Sequence, residues 1–187
     1  MKIGLTGGIG CGKSEALRIF GEKGWKTMST DAIAHQLTTE DPVVGAELKK
    51  HFGTMEKKAI ATQVFSNPEK KRVLEEILHP RIREHWLGRI QENPKDNWVI
   101  EIPLLFEKRL ENYFDLVVCV ASSLEIQLER LHRRGIAEDD AKARIANQAP
   151  LSIKIQKSDR VLSNNGTINF LEEQIELLLR NFRTTPK

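Results

Sequence analysis

Apolar residues in this chain fall into short unbroken runs, separated by longer stretches in which they recur every three or four positions. The unbroken runs are strand-like and lie at Lys2–Thr6, Trp25–Met28, Trp98–Ile102, Leu116–Ala121 and Arg160–Leu162. Between nearly all of them the spacing predicts helices. Strands alternating with helices predict an α/β chain built on a parallel sheet covered by helices. Leu116–Ala121 is apolar throughout, as expected of a strand buried on both faces. Near the C-terminus, Ile168, Leu171, Ile175, Leu178 and Phe182 form a helical stripe that should pack on the sheet. Two regions exceed a simple crossover. One, between the second and third strands, carries helical patterns at Pro42–Phe52, Lys57–Phe65 and Pro68–Gln91. The other is the charged stretch Glu125–Lys157.

The first strand runs straight into Gly7-Gly-Ile-Gly-Cys-Gly-Lys-Ser14, a match to G-x-x-x-x-G-K-S. In such a loop the glycines let successive N–H groups turn inward onto an anion. The lysine reaches the β- and γ-phosphates, and the hydroxyl that follows can ligate Mg²⁺. A helix beginning at Ser14, with Ala16, Leu17, Ile19 and Phe20 to bury, adds its N-terminal partial charge to the same site. The strand–loop–helix setting predicts a phosphate-loop (P-loop) NTPase that binds a nucleoside triphosphate. The long helical insertion then reads as a substrate-binding region and Glu125–Lys157 as a mobile lid.

A length of 187 residues suits one domain with a sizeable core. The net charge of +3 creates no field that demands nucleic acid. A strand starting at residue 2 leaves no room for a signal peptide, and no apolar run reaches membrane-spanning length. Cys11 and Cys119 form no C-x-x-C pair and suit a reducing cytoplasm. The expectation is a cytoplasmic protein without nucleic-acid or membrane partners; the sequence carries no signal of oligomeric state.

A triphosphate loop alone does not separate a switch from a kinase. A GTPase needs D-x-x-G after one strand and N-K-x-D after another. The first is absent, and Asn93-Pro-Lys-Asp96 has the wrong order and precedes a strand. Asp31 follows the second strand, where strand ends face one crevice, so its carboxylate can serve as a general base worth about 10²–10⁴ in rate. The competing reading is an N-cap, a role also open to Thr30. Arg130 and Arg134 share a helix face whose buried side is marked by Leu124, Leu128 and Leu131. With Arg144 they could converge on transferring phosphates, where an arginine is worth about 10³–10⁵ in rate. Glu101 ends an apolar strand where a carboxylate can support Mg²⁺, although Glu107 competes for that part. His79-Pro80 interrupts the longest helical pattern and predicts a kink or break.

Together these pieces resemble the dephospho-coenzyme A kinase family. The matching residues are Leu5–Ser14, Thr30–Ala34, Leu78-His-Pro80 with Arg83, Ile102-Pro-Leu-Leu-Phe-Glu107, Phe114–Val118, Gln127–Arg130, Arg144-Ile-Ala-Asn-Gln148 and Ser158–Leu162 with Asn164. The resemblance implies a nucleoside-monophosphate-kinase-like, five-stranded parallel α/β fold. Its core would span about 1–40, 95–124 and 158–187, with a helical substrate region over about 41–94 and a lid over about 125–157. It implies ATP as phosphoryl donor, Mg²⁺, and dephospho-coenzyme A as the small-molecule acceptor. Asp31, Lys13, Arg134 and Thr6 would be catalytic. Gly8, Gly10, Cys11, Gly12, Lys13, Ser14, Glu15, Arg130 and Arg144 would bind ATP, with Ser14 also on the metal. His79, Arg83, Leu104 and Glu107 would bind the acceptor. The alternatives are a nucleoside or nucleotide kinase on the same fold, or an ATP-dependent regulatory protein without a small acceptor.

The chain departs from the family pattern at four places. Cys11 stands where a serine is usual, Ser29 where a first aspartate is usual, and residues 53–58 are short, with Lys57 in place of arginine. Glu15 adds a negative charge that either strengthens metal binding or weakens nucleotide binding.

Overall fold

The computed structural model describes residues 1–183; the end of the expected 158–187 core segment, residues 184–187, lies outside the described residues. Five strands, β1 (Lys2–Gly7), β2 (Lys26–Ser29), β3 (Trp98–Glu101), β4 (Leu116–Ala121) and β5 (Arg160–Ser163), form one sheet in the order β2-β3-β1-β4-β5. Neighbouring strands are parallel throughout, as the alternation predicted. The register sets Leu5 and Ser29 opposite Glu101, Gly7 opposite Val120 and Ala121 opposite Ser163. The carboxyl ends of the strands therefore share one edge, with β1 at the centre where the strand order reverses. Ligands bind at that place in open α/β sheets.

Nine α-helices and one 3-10 turn (Glu111–Tyr113) among the described residues accompany the strands: α1 (Lys13–Glu22), α2 (Thr30–Glu40), α3 (Pro42–Phe52), α4 (Lys57–Ser66), α5 (Pro68–Glu92), α6 (Leu124–Arg133), α7 (Glu138–Ala146), α8 (Leu151–Lys157) and α9 (Ile168–Arg183). Two compact units result. One holds the sheet, from residues 1–29 and the chain after residue 94; the other is Thr30–Pro94, made of α2 to α5. No helix among the described residues is long and apolar enough to cross a membrane.

In the sheet unit, Ile3, Leu5, Val99, Val118, Val120 and Leu162 pack against Ala16, Ile19 and Phe20 of α1 and Leu171 and Ile175 of α9. Each large apolar side chain fully buried there stabilises the fold by about 1.5–3 kcal/mol. Ile168 and Leu124 were expected in the core, but both are 55% exposed. Each is the first residue of its helix, a turn short of the side chains that reach the sheet. On α6 the buried positions are Gln127 and Leu131. The expected lid therefore begins on a helix that contributes to the interior. It also ends on one, because Lys154 of α8 is fully buried.

The helical unit is punctuated by caps. Asp41 accepts from the N–H groups of Val43 and Val44 ahead of α3, which ends at Gly53 in the left-handed region (φ 72°). Asn67 accepts from Glu69 and Lys70 N–H ahead of α5, with Pro68 in the first turn. Such caps typically contribute about 1 kcal/mol each. Val44, Leu48, Phe52, Ile60 and Ile77 form this unit's own core. Of the kink or break expected at His79-Pro80, the break does not occur, since α5 runs from Pro68 to Glu92 with Pro80 inside it. Pro80 is exposed, and the carbonyl it leaves without a helical N–H is that of Glu76, while Arg81 Nη1 donates to the next one, Ile77 O, at 2.8 Å.

Candidate active site at the phosphate-binding loop

The loop between β1 and α1 takes its shape from backbone that only glycine adopts without strain. Gly10 and Gly12 have φ of 78° and 89°. A Cβ on Gly12 would lie 2.1 Å from Asn164 Nδ2, and one on Gly10 would lie 2.9 Å from Gln127 O. Close packing from behind excludes any larger residue. Cys11 N–H donates to Gly8 O at 3.2 Å, and Ala16 N–H donates to Gly12 O at 3.1 Å as α1 begins. Lys13 is nearly buried and its ammonium donates to Gly8 O at 3.0 Å. Cys11 is buried, and burial pushes its thiol above the ordinary value, so it is neutral near pH 7 and sets no negative charge beside a phosphate. Glu15, the added charge, pairs with Arg18 at 2.6 Å. Its field is thereby largely offset within α1.

A second layer of side chains holds the loop. Arg130 Nη1 donates to Gly10 O at 3.2 Å and to Ser122 Oγ at 3.1 Å, while Nη2 donates to Asn164 O at 2.9 Å. Asn164 Nδ2 donates to Cys11 O at 2.9 Å, Ser122 Oγ to Asn164 O at 2.8 Å, and Gln127 Nε2 to Ser122 O at 2.9 Å. Ile9 N–H donates to Gln148 Oε1 at 3.2 Å. Buried polar groups hold position only when paired, and here the pairing fixes the loop's carbonyls. The three arginines are not gathered. Arg130 is spent on the loop backbone, Arg134 is exposed where α6 ends, and exposed Arg144 pairs with Asp140 at 3.0 Å.

At the end of β3, Ser14 Oγ donates to Glu101 Oε1 at 3.4 Å, and Glu101 is 4% exposed. A hydroxyl beside a buried carboxylate is the hard-oxygen donor set that Mg²⁺ takes, so this pair fits the ion. The turn that follows, residues 103–109, holds half-buried Leu104 and Glu107. Thr6 Oγ1 donates to Pro103 O at 3.4 Å, and Lys154 Nζ donates to the same carbonyl at 2.6 Å. Lys154 also pairs with Glu107 Oε1 at 2.9 Å, and that oxygen accepts Ala149 N–H at 2.9 Å. Burial acts to raise the Glu107 carboxyl, but the bonds from Lys154 and Ala149 outweigh it and hold it below the ordinary value. Glu107 Oε2 is buried and has no hydrogen-bond partner among the described residues.

The remaining candidates lie in the helical unit. Asp31 is the second residue of α2, within its first turn, and is exposed. Inside the helix it is not the N-cap, so the structure removes the capping role, although an acid in the first turn still suits the helix dipole. His79 is half-buried on α5, and Arg83 is exposed one turn later. Sequence reasoning assigned no role to Ser122, Gln127, Gln148, Lys154 or Asn164, which carry much of the loop's support. Gln127, Gln148 and Asn164 do stand in the stretches that carry the family resemblance, whereas Ser122 and Lys154 had only their polarity among apolar neighbours to mark them.

Residues 1–169 match the family model described as dephospho-CoA kinase. Dephospho-CoA kinases of Deinococcus radiodurans and Bacillus cereus are 38% and 35% identical to this chain, covering 98% and 96% of it and 93% and 96% of their own lengths. A crystal structure of a Thermus thermophilus protein is similar at TM-score 0.86 and 30% identity, covering 100% of this chain and 98% of that one. A dephospho-CoA kinase structure from Campylobacter jejuni gives TM-score 0.72 at 27% identity, covering 97% and 98%. Shikimate kinase of Acinetobacter baumannii, at TM-score 0.54 and 15% identity, shares the fold.

Proposed function

The chain belongs to the dephospho-CoA kinase family, the phosphotransferases of the last step of coenzyme A synthesis, and we propose how its residues divide that work. The reaction moves the γ-phosphoryl group of ATP to the ribose 3′-hydroxyl of dephospho-coenzyme A. A P–O bond forms at the 3′-oxygen, the bond to the β-phosphate oxygen breaks, and coenzyme A and ADP result. Asp31 takes the hydroxyl proton as the new bond forms. Its exposure, and its place two residues beyond the end of β2, support that role.

The triphosphate lies against the loop at Gly8, Gly10, Cys11, Gly12, Lys13 and Ser14 and the start of α1, where Glu15 stands. Lys13 neutralises charge that builds on the transferring group, assisted by Arg134 and Arg144 from the lid. Arg130 contributes to ATP binding by fixing Gly10 and Asn164. Ser14, backed by Glu101, holds Mg²⁺, which when bound neutralises charge on the β- and γ-phosphates. Thr6 steadies the Pro103 turn, and His79, Arg83, Leu104 and Glu107 contact the acceptor. Within 125–157 the lid is α7, which buries only Ala141, whereas α6 and α8 contribute larger buried side chains to the sheet unit and the α7–α8 connection is tied down at Gln148 and Ala149. Two buried, unpaired thiols fit a cytoplasmic setting.

The observation that carries this reading is the glycine loop at the centre of the sheet, opening onto the Ser14–Glu101 oxygens. ADP release measured with dephospho-coenzyme A, AMP, UMP, adenosine and no acceptor tests it. Release should depend on dephospho-coenzyme A. Equal release without any acceptor would remove the kinase assignment.

A further inference from the structure

Gln148 is not on α7 or α8 but in the connection between them, and it is fixed from two sides. Its Oε1 accepts the Ile9 N–H of the phosphate loop at 3.2 Å. An amide N–H admits only an acceptor, so the side-chain amide has one permitted orientation there. The next residue, Ala149, donates its N–H to Glu107 Oε1 at 2.9 Å. Glu107 is paired with Lys154, one turn into α8, whose ammonium also donates to Pro103 O. Pro103 O is in turn the acceptor for Thr6 Oγ1, just before the loop. The chain of contacts leaves the loop at Ile9, passes through residues 148–154 and 107–103, and returns at Thr6.

Stability alone does not account for this arrangement. Lys154 is fully buried, and a buried ion pair is commonly no more stabilising than apolar residues of the same volume. Apolar residues of the same volume in place of both Lys154 and Glu107 would fill the space at similar stability but would hold neither Pro103 O nor the Ala149 N–H. What the ion pair adds is position, passed through Ala149 to its neighbour Gln148.

We propose that Gln148 is a positioning residue for phosphoryl transfer, holding the Ile9 segment of the phosphate loop in register, with half-buried Glu107 and buried Lys154 as its anchor. This rests on the kinase reading above. Gln148 acts through the loop, so its loss should lower kcat more than it weakens ATP binding, because misplaced reacting groups lose orientation before affinity.

The test compares Gln148→Met, Gln148→Glu, Lys154→Met and the Gln148→Met/Lys154→Met double variant in the full chain. Gln148→Met should lower kcat about tenfold or more, with KM for ATP changed by less than about threefold. Gln148→Glu keeps an acceptor for Ile9 and should recover most of kcat, while its charge raises KM for ATP. The double variant should be little worse than the worse single one, because both interrupt one chain of contacts. Amide hydrogen exchange at Ile9 gives a second readout that needs no activity: it should quicken in Gln148→Met and in Lys154→Met. If Lys154→Met does not fold, Glu107→Gln weakens the same anchor and takes its place. Wild-type kcat in Gln148→Met, additive losses in the double variant, or unchanged Ile9 exchange in the anchor variant would each overturn the proposal. A parent protein inactive toward dephospho-coenzyme A would instead count against the kinase reading and leave the exchange experiment to decide this one.

Discussion

The phosphate loop and the helical unit Thr30–Pro94 both carry candidate site residues but hold them by different means. Around the loop, half-buried Arg130 and buried Ser122, Gln127 and Asn164 fix backbone carbonyls through a connected set of hydrogen bonds. In the helical unit the candidates sit on helix surfaces. Asp31 and Arg83 are exposed, over a core of Val44, Leu48, Phe52, Ile60 and Ile77 that makes no use of them. The difference follows from what each region meets. A triphosphate is read by backbone N–H groups, which stay in place only if the chain is immobilised from behind. An acceptor alcohol is read and activated by side chains, which need only a stable helix to stand on.

This contrast can be broken most forcefully at Asp31. Asp31→Asn keeps the shape and stays compatible with a first helical turn, yet cannot take the proton. Turnover should fall by about 10²–10⁴ while the melting temperature hardly moves. Near-normal kcat in a well-folded Asp31→Asn protein would remove the base from the helical unit. Next in size is Lys13→Ala on the loop side, where losing one preorganised charge should lower kcat by about 10²–10³ and nucleotide affinity by less. Steady-state kinetics at saturating ATP, beside a direct nucleotide-binding measurement, check the split; equal losses in both would make Lys13 a binding residue only.

A smaller effect is expected from pH. Bonds from Lys154 and Ala149 keep the folded Glu107 carboxyl below its ordinary value against the opposing effect of burial. A group lowered in the folded state stabilises it above the unfolded value, near about 4.3, and that contribution fades as pH falls through the folded value. Denaturant unfolding from about pH 5 to about pH 3 should therefore show a loss that Glu107→Gln lacks. Parallel curves for the two proteins would contradict the assignment. The smallest effect concerns backbone alone. Arg109 has φ 52°, a left-handed conformation that disfavours a side chain. Arg109→Gly should raise stability by up to about 1 kcal/mol, or roughly 2–4 °C in a thermal melt. A lower melting temperature would mean that the arginine side chain holds the turn.

The strand–loop–helix at the N-terminus was legible in the sequence because its chemistry requires glycines, lysine and serine at fixed spacing. The sheet was legible because buried parallel strands read as apolar runs; β2 begins one residue later than expected, at Lys26, and β3 ends one earlier, at Glu101. Pro80 misled as a break because local rules weigh the lost N–H and the clash, whereas a 25-residue helix carries one such defect at an exposed position. Lys154 and Gln127 were invisible as core residues. A lysine or glutamine at helical spacing looks like a solvated face, and only the tertiary fold shows the carbonyls waiting for it. The charge of Arg130 points to the phosphates, and in the structure its guanidinium is held by Gly10 O of the loop, Asn164 O and the Ser122 hydroxyl.

The central claim is the destination of the γ-phosphoryl group. ATP carrying a radiolabel in that group, incubated with the protein, Mg²⁺ and dephospho-coenzyme A, should yield labelled coenzyme A with all label in the ribose 3′-phosphate, one equivalent per ADP formed. Label recovered as inorganic phosphate, or at any other position of the acceptor, would contradict the account.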